Sequence, residues 1–429
     1  MGSQAPPARR RTSPPASPIP GLACRSRHSS SLPSSIPLIY VYHIFDRISP
    51  NSMSDQHWSG RMRVVHIMAD GNPGGGPVVV ETLCAGMAAR GVETAVITQT
   101  GSYFFDRANA KGWTTFGLDF SRRKNVIRIS REISELLERE APDVVHAHGA
   151  RSALPVSLLP RSKRPALAYT IHGFHYDRKG TGSRQFFKLM EKLCIGRADR
   201  IILVGKADEA FAYKEGLVDD PQRWSQVYNG VELPAGCTIS PQPEFDIVFV
   251  GRLHPQKNPL ALPAILAAMK RPHVTMLIVG GGELEASVRE SCKRLGVESQ
   301  ITMTGTRSRT DALELMSRAR IFVLPSLWEG VPVSVIEAMK MGVPVVASRI
   351  AGNQELIHHG ETGLLADPLV PAEFAEHISS LLDSPQLAQS LAARAASFAS
   401  TAFTIESQVT AHLRIYENVI SESRLRRPR

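Results

Sequence analysis

Two pairs of charged residues have types and spacings that could do chemistry. Arg252 and Lys257 follow an apolar run in "FVGRLHPQKNP", and Glu329 and Glu337 stand eight positions apart in "SLWEGVPVSVIEAMKMGVPVVAS", residues 326–348. Two cations at the carboxyl end of a strand can clamp a diphosphate, Arg as a planar fork and Lys as a point charge. The second stretch reads as a strand, a turn holding Glu329, and a helix over "VSVIEAMKMG" that closes at Gly342. Free N–H groups and the dipole at a helix start attract anions, so a diphosphate held there would bring its ribose and sugar within reach of carboxylates. A carboxylate grips vicinal hydroxyls by accepting two hydrogen bonds. Each residue taken singly has an ordinary explanation as a solvated loop charge or a favourable acid near a helix start. Those explanations do not account for the four together.

Such residues need strands to aim them. From Met62 the chain alternates short apolar runs with helical stretches: "RVVHIM", a helix over "VVVETLCAGMAARG", "ETAVIT", a helix over "VIRISREISELLEREA", then "DVVHAH". After a Pro-containing gap, "ELPAGCTISPQPEF", the alternation resumes with "DIVFVG", "VTMLIVG", "ITMTG", "IFVLPS" and "PVVAS". Strands separated by helices of about ten residues or more mean a parallel sheet with helices on both faces. The sequence therefore predicts an α/β protein with two doubly wound, Rossmann-like domains, 62–238 and 239–405, hinged near residue 238. A final helix over 406–429 is expected to return to the first domain and to end in a basic tail. In such sheets ligands sit beyond the carboxyl ends of the strands, and the cleft between the domains is the expected pocket.

Length supports this division, since 429 residues exceed what one ordinary core organises. The 43% apolar and 21% charged residues are those of a globular protein, and no apolar run approaches the roughly 20 residues of a membrane helix. The formal charge of +10 is concentrated at the ends. Residues 1–61 carry seven Arg against Asp46 and Asp55, and the last six residues, "RLRRPR", add four more, so the body between them is near neutral. That distribution argues against a nucleic-acid surface and fits, at most, weak attraction of the tail to anionic lipid. Residues 1–61, rich in Pro, Ser and Arg, are expected to form no packed core, and the simplest account is that the natural chain begins near Met62; a cleaved signal around "IPLIYVYHIF" is the alternative. Cys24, Cys84, Cys194, Cys237 and Cys292 are scattered, with no C-x-x-C pair, which predicts a reducing compartment and no structural metal. No G-x-G-x-x-G follows a strand at the required spacing, and "VGKAD" around Lys206 lacks the earlier Gly and the Ser or Thr of a phosphate-binding P-loop.

Arg252, Lys257 and the E-x7-E of Glu329 and Glu337, in this order, resemble glycosyltransferase family 4, the retaining glycosyltransferases of GT-B fold. The resemblance covers residues 62–420 and includes "GNPGGG", "DVVHAHG", "YTIHGFH", "VYNGVE", "GRLHPQKN", "AGNQELI" and "GETGLL". It implies that Arg252 and Lys257 neutralise the diphosphate of a departing nucleoside diphosphate, in place of a metal ion. It implies further that Glu337 holds the ribose, that Glu329 contacts the transferred sugar, and that the N–H groups of Gly330 and Val331 lie near the phosphate, with Gly280 also on the donor side. His172 in "YTIHG" matches a histidine that approaches the sugar. Gly74, Gly75 and Gly76 would edge the acceptor side, with His148, which is otherwise read as a satisfied structural group. No metal or cofactor is expected beyond the nucleotide-sugar co-substrate. Retention follows from the family alone, because no carboxylate nucleophile is assignable from the sequence.

The pattern departs in two places. Gly281 stands where many relatives carry Asp, and Pro332 removes one N–H donor from the phosphate loop. The second departure recurs in a branch with "HGFH", a basic loop and "EKL", here "HGFHYDRKGTGSRQFFKLMEKL". That branch resembles capsule and lipid-linked oligosaccharide transferases. It implies a UDP-linked hexose as donor and a polyprenyl-diphosphate-linked glycan as acceptor, at the cytoplasmic face of a bacterial membrane that "DRKGTGSRQFFKLMEK" would approach. For that stretch, an amphipathic helix packed on its own domain is the competing explanation. Two further functions stay open: a GT-B protein that binds nucleotide or sugar without turnover, and a sugar-nucleotide epimerase, which would release nucleotide without any acceptor.

Overall fold

The computed structural model describes residues 62–121, 125–174 and 181–426. Residues 1–61, 122–124, 175–180, which include the basic stretch that follows "HGF", and 427–429 at the end of the basic tail lie outside the described residues. The first sheet holds β1 (Arg63–Met68), β2 (Glu93–Gln99), β3 (Thr114–Leu118), β4 (Val144–His148), β5 (Ala166–Ile171), β6 (Arg200–Leu203) and β7 (Trp224–Gln226), in the order β3-β2-β1-β4-β5-β6-β7. The second holds β8 (Phe245–Val250), β9 (Met276–Val279), β10 (Ile301–Met303), β11 (Ala319–Leu324), β12 (Val345–Ser348) and β13 (Leu364–Ala366), in the order β10-β9-β8-β11-β12-β13. All strand pairs are parallel. The two doubly wound domains expected from the apolar runs are thus present, with helices on both faces of each sheet.

Strand order decides where the loops go. In each sheet the order reverses between two neighbours, β1 with β4 and β8 with β11, and ligands settle beyond the carboxyl ends at such switch points. The segments at those ends are residues 69–74 leading into the helix Gly75–Ala88 and Gly149 after β4 in the first domain, and 251–257 and 325–332 in the second. Of the residues singled out by type and spacing, Arg252 and Lys257 come from the first of the second-domain segments, Glu329 from the second, and Glu337 from the helix Val333–Met341 that follows it.

Two connections cross between the domains. Val231 N–H donates to the Phe403 carbonyl, and a Cβ on Gly230 would lie 2.7 Å from the Ile405 Cα and the Thr404 carbonyl, so only glycine lets the two connections touch. The last helix, Ile405–Arg426, then packs on the helix Gly75–Ala88, with Val409 seated over Gly86, and buries Tyr416 against the first sheet. Among the described residues no helix is long and apolar enough to cross a membrane.

Candidate active site

A cleft of about 630 Å³ lies between the domains, lined from the first by Asp70, Gly74–Gly76 and His172, and from the second by Arg252, Gln256, Lys257, Gly280, Glu329–Val331 and Glu337. Its walls are close. A Cβ on Gly75 would sit 3.5 Å from Val333, and one on Gly330 would sit 3.2 Å from the His172 carbonyl and 3.4 Å from Asp208 Oδ2. A second cavity, between Ile239, Pro344 and Ala392 of the second domain, is lined by none of these acids or glycines.

Local structure explains each placement. After β8, His254 caps a single 3-10 turn, Pro255–Lys257, by accepting from Gln256 N–H, and Asn258 closes it in the left-handed region. That turn aims Lys257 back across the β8–β11 boundary, where its Nζ lies 2.6 Å from Glu329 Oε1. Gln256 Nε2 donates to Glu329 Oε2 at 3.3 Å and to the Trp328 carbonyl at 3.2 Å. Both Glu329 oxygens are thus engaged, and the carboxylate is only 6% exposed. It is a fixed hydrogen-bond acceptor with lone pairs to spare.

Arg252 is held loosely by comparison. Its nearest acid is Asp70 of the first domain at 3.8 Å, and both side chains are about half exposed. Such a pair contributes little to stability. A diphosphate would offer the guanidinium a better, bidentate partner.

Glu337 lies in the second turn of the helix Val333–Met341, which starts after Pro332 and ends at Gly342 with φ 80°. Its carboxylate is buried, which raises its pKa, and Arg309 opposes that rise by donating from Nε to Oε1 at 2.8 Å. Arg309 also reaches the Glu232 carbonyl at 2.7 Å, tying the helix to the segment that joins the domains. Gly280 has φ 141°, and any Cβ there would lie 1.9 Å from the Gly251 carbonyl, so glycine at this position lets the loops after β8 and β9 meet.

His172 lines the cleft, whereas His148 does not: it is buried behind His172, with Nδ1 3.3 Å from His172 Nε2. His148 Nε2 in turn lies 3.1 Å from His66 Nδ1. His66, His146 and His148 are the described residues whose ring nitrogens lie close enough, within 4.8 Å of one another, to share a metal ion. The His146 nitrogens are engaged at 2.6 Å by Thr170 Oγ1 and by the Tyr416 hydroxyl.

Other contacts complete the site without having been singled out by type or spacing. Gly352, in "AGNQELI", lies so close to the Glu329–Gly330 turn that a Cβ would fall 1.8 Å from the Gly330 carbonyl. Three residues on, Glu355 crosses to the first domain and accepts from Lys206 N–H at 2.8 Å and Ala207 N–H at 2.6 Å, capping the helix Lys206–Lys214. Tyr228 donates to the same carboxylate at 3.0 Å. Asp208, beneath that cap, is buried, and burial with Glu355 nearby pushes its carboxyl up to about 7. "AGNQELI" carried the signal for Gly352 and Glu355, since a glycine and an acid follow a strand there. Arg309 and Asp70 had no local signal.

Two family models match the chain, glycosyltransferase family 4 over residues 73–234 and glycosyl transferases group 1 over residues 238–398. The chain belongs to glycosyltransferase family 4. A UDP-Gal:alpha-D-GlcNAc-diphosphoundecaprenol alpha-1,3-galactosyltransferase of Escherichia coli is 29% identical over 54% of this chain and 64% of its own length, so the match spans somewhat less than two thirds of that relative. A glycogen synthase of Mycobacterium tuberculosis is 28% identical over 64% of this chain and 68% of its own. Among solved structures, Anabaena HepE in complex with UDP and glucose superposes with a TM-score of 0.73 at 19% identity, over 83% of this chain and all of that one. That likeness shows the GT-B fold implied by the motifs.

Proposed function

We propose that this glycosyltransferase moves a hexose from a UDP-linked donor to a glycan carried on a polyprenyl diphosphate, in the assembly of a bacterial surface polysaccharide. The observation that carries the reading is the convergence on one cleft of Arg252, Lys257, Glu329 and Glu337 from one domain with His172 and the Gly74–Gly76 loop from the other. On this reading Arg252 and Lys257 take up the negative charge that grows on the diphosphate as the sugar leaves, which favours the transition state over the ground state. Glu337, held by Arg309, accepts from the ribose hydroxyls. Glu329, fixed by Lys257 and Gln256, accepts from hydroxyls of the transferred sugar and orients it.

Support for UDP comes from the ligand named with HepE, and support for a lipid-linked acceptor from the diphosphoundecaprenol in the name of the Escherichia coli relative. The helix Thr181–Arg197 adds a physical reason: it buries Cys194 and Ile195 but leaves Phe186, Leu189 and Leu193 exposed along one stripe, with Lys188 and Lys192 beside them. An apolar stripe flanked by cations suits the interface of an anionic membrane.

The test is thermal unfolding of residues 62–429 with UDP, GDP, ADP and TDP in turn. A ligand at 100 times its Kd adds about 2.7 kcal/mol, enough to move Tm measurably. Stabilisation by UDP alone, removed in Arg252→Ala, is expected. Stabilisation by another diphosphate overturns the choice of base, and none at all overturns the donor site.

A further inference from the structure

We propose that His66 and His148 are positioning residues that hold His172 as the tautomer protonated on Nδ1, so that the cleft is presented with a neutral, fixed ring whose Nε2 accepts a hydrogen bond from within the domain. The inference rests on the reading that His172 faces the transferred sugar. Its basis is a relay of three rings running inward from the cleft: His172 Nε2 to His148 Nδ1 at 3.3 Å, and His148 Nε2 to His66 Nδ1 at 3.1 Å. The relay ends at His66 Nε2, which is fully buried and has no hydrogen-bond partner among the described residues.

Each of the two gaps has room for one proton, because a neutral imidazole has one donor and one acceptor. The inner rings are neutral: burial drives His66 down to about 3 and His148 well below the ordinary value. Only two polarities remain. If His172 donates inward, His148 passes a proton towards His66 Nδ1, and the last proton is left on His66 Nε2 as a buried N–H with nothing to receive it. If His66 donates outward, His148 donates in turn to His172 Nε2, and the buried end of the relay is a bare lone pair. An orphaned buried N–H is the rarer and costlier of the two, so the outward polarity wins and His172 is left with its proton on Nδ1.

The surroundings preserve that choice. His146, packed against His148 with ring centroids 4.0 Å apart, cannot intrude, since Thr170 and Tyr416 engage both its nitrogens. Tyr416 and His412 come from the last helix, which closes the sheet face over the relay, and His412 spends its own Nδ1 on the Gln408 carbonyl at 2.8 Å. His66 and His146 are direct register partners on β1 and β4, with His148 two residues on, so the parallel pairing itself sets the spacing of the relay.

The decisive measurement is a multiple-bond ¹H–¹⁵N correlation on ¹⁵N-histidine-labelled protein at neutral pH, with the His172 signals identified by their loss in His172→Gln. The pattern of a ring protonated on Nδ1 is expected. In His66→Leu the relay loses its first donor and His172 should shift towards protonation on Nε2. His66→Asn, whose amide can donate from nearly the same place, should restore the original pattern. Transfer should follow: a fall in kcat of about tenfold to a hundredfold in His66→Leu, with KM for the donor little changed, and recovery in His66→Asn. A wild-type His172 protonated on Nε2 overturns the proposal whether or not His66→Leu folds, and so does an unchanged tautomer in a folded His66→Leu. One equivalent of tightly bound metal that is lost in His66→Leu overturns it as well, by replacing the relay with coordination. Because the tautomer is read on the protein itself, the relay can stand while the donor reading fails, or the reverse.

Discussion

In the first domain, His66, His146 and His148 lie inside the fold on β1 and β4, under the helices Gly75–Ala88 and Ile405–Arg426. In the second domain, the corresponding neighbours β8 and β11 are filled by Ile247, Val248, Phe249, Ile321, Phe322 and Val323, and the charged groups of the site sit on the loops and helix beyond the strand ends. The difference follows from what each kind of group tolerates. Neutral rings can be buried if nearly every nitrogen is matched, and a matched network is rigid. Charges cannot be buried so cheaply, but at the mouth of a cleft they can exchange one partner for another. One domain offers a fixed neutral ring, and the other offers Arg252, a cation free to change partners, beside Lys257, which is held on Glu329.

The largest expected effect comes from acidifying that contrast. His66, His146, His148 and His412 have folded pKa values depressed by burial, His66 to about 3 and His412 to about 4, so below about 6.5 the unfolded chain takes up protons that the folded chain refuses. Stability is therefore complete above that pH and is lost as pH falls. Asp208 and Glu191, both raised to about 7, act in the opposite sense over the same window. Glu337, raised by burial, acts in that opposite sense too, so the four histidines are set against three acids and a net loss of stability is expected as pH falls from 6 to 4. Urea denaturation across that range measures it, and hydrogen exchange at pH 5 should show β1 and β4 losing protection before β8 and β11. Uniform protection loss in both sheets would erase the distinction between the domains.

The two cations should separate next. Arg252→Ala removes a half-exposed group whose nearest acid is 3.8 Å away, so transfer should fall by about 10²- to 10³-fold while Tm stays put. Lys257→Ala strips the partner from a carboxylate that is 6% exposed, and should cost about 3 kcal/mol of stability as well as activity. Equal effects of both substitutions on Tm would mean that the two cations are not held as differently as 2.6 Å and 3.8 Å imply. A smaller effect is expected at Gly352. A Cβ there must push the Gly330 carbonyl, and with it Glu329, so Gly352→Ala should cost about 1–3 kcal/mol and lower kcat more than it raises KM.

The sequence made the fold legible in strands that are continuous apolar runs, such as "RVVHIM", "ETAVIT" and "DIVFVG". It did not single out β5 "ALAYTI" or β6 "RIIL", apolar though they are, and it was silent for β3 "TTFGL", β7 "WSQ" and β13 "LLA", which lie at sheet edges, are short, and owe their pairing to neighbours far along the chain. The site divides along a similar line. Arg252, Lys257, Glu329 and Glu337 carry chemistry in their types, and all four line one cleft. Gln256, Arg309 and Asp70 became visible only once loops brought them within reach. The relay was hidden for another reason: a histidine in an apolar strand looks like any core residue, and only the register of β1 against β4 shows that three of them meet.

The smallest effect concerns the contact that joins the halves. Glu355 from the second domain caps the helix Lys206–Lys214 of the first, and Asp208 lies buried beside it with its carboxyl raised to about 7 by burial and by Glu355. A raised acid stabilises the fold while it stays protonated, so that contribution is present at low pH and drains away as pH rises from about 4 through about 7. Asp208→Asn keeps the shape and cannot ionise. Relative to the wild type it should gain about 1–2 kcal/mol on going from pH 5 to pH 8, with no advantage at the acid end. Paired denaturation curves at the two pH values measure this directly. A constant difference would place the Asp208 charge in solvent, and the join between the domains would then be held by the Glu355 cap alone.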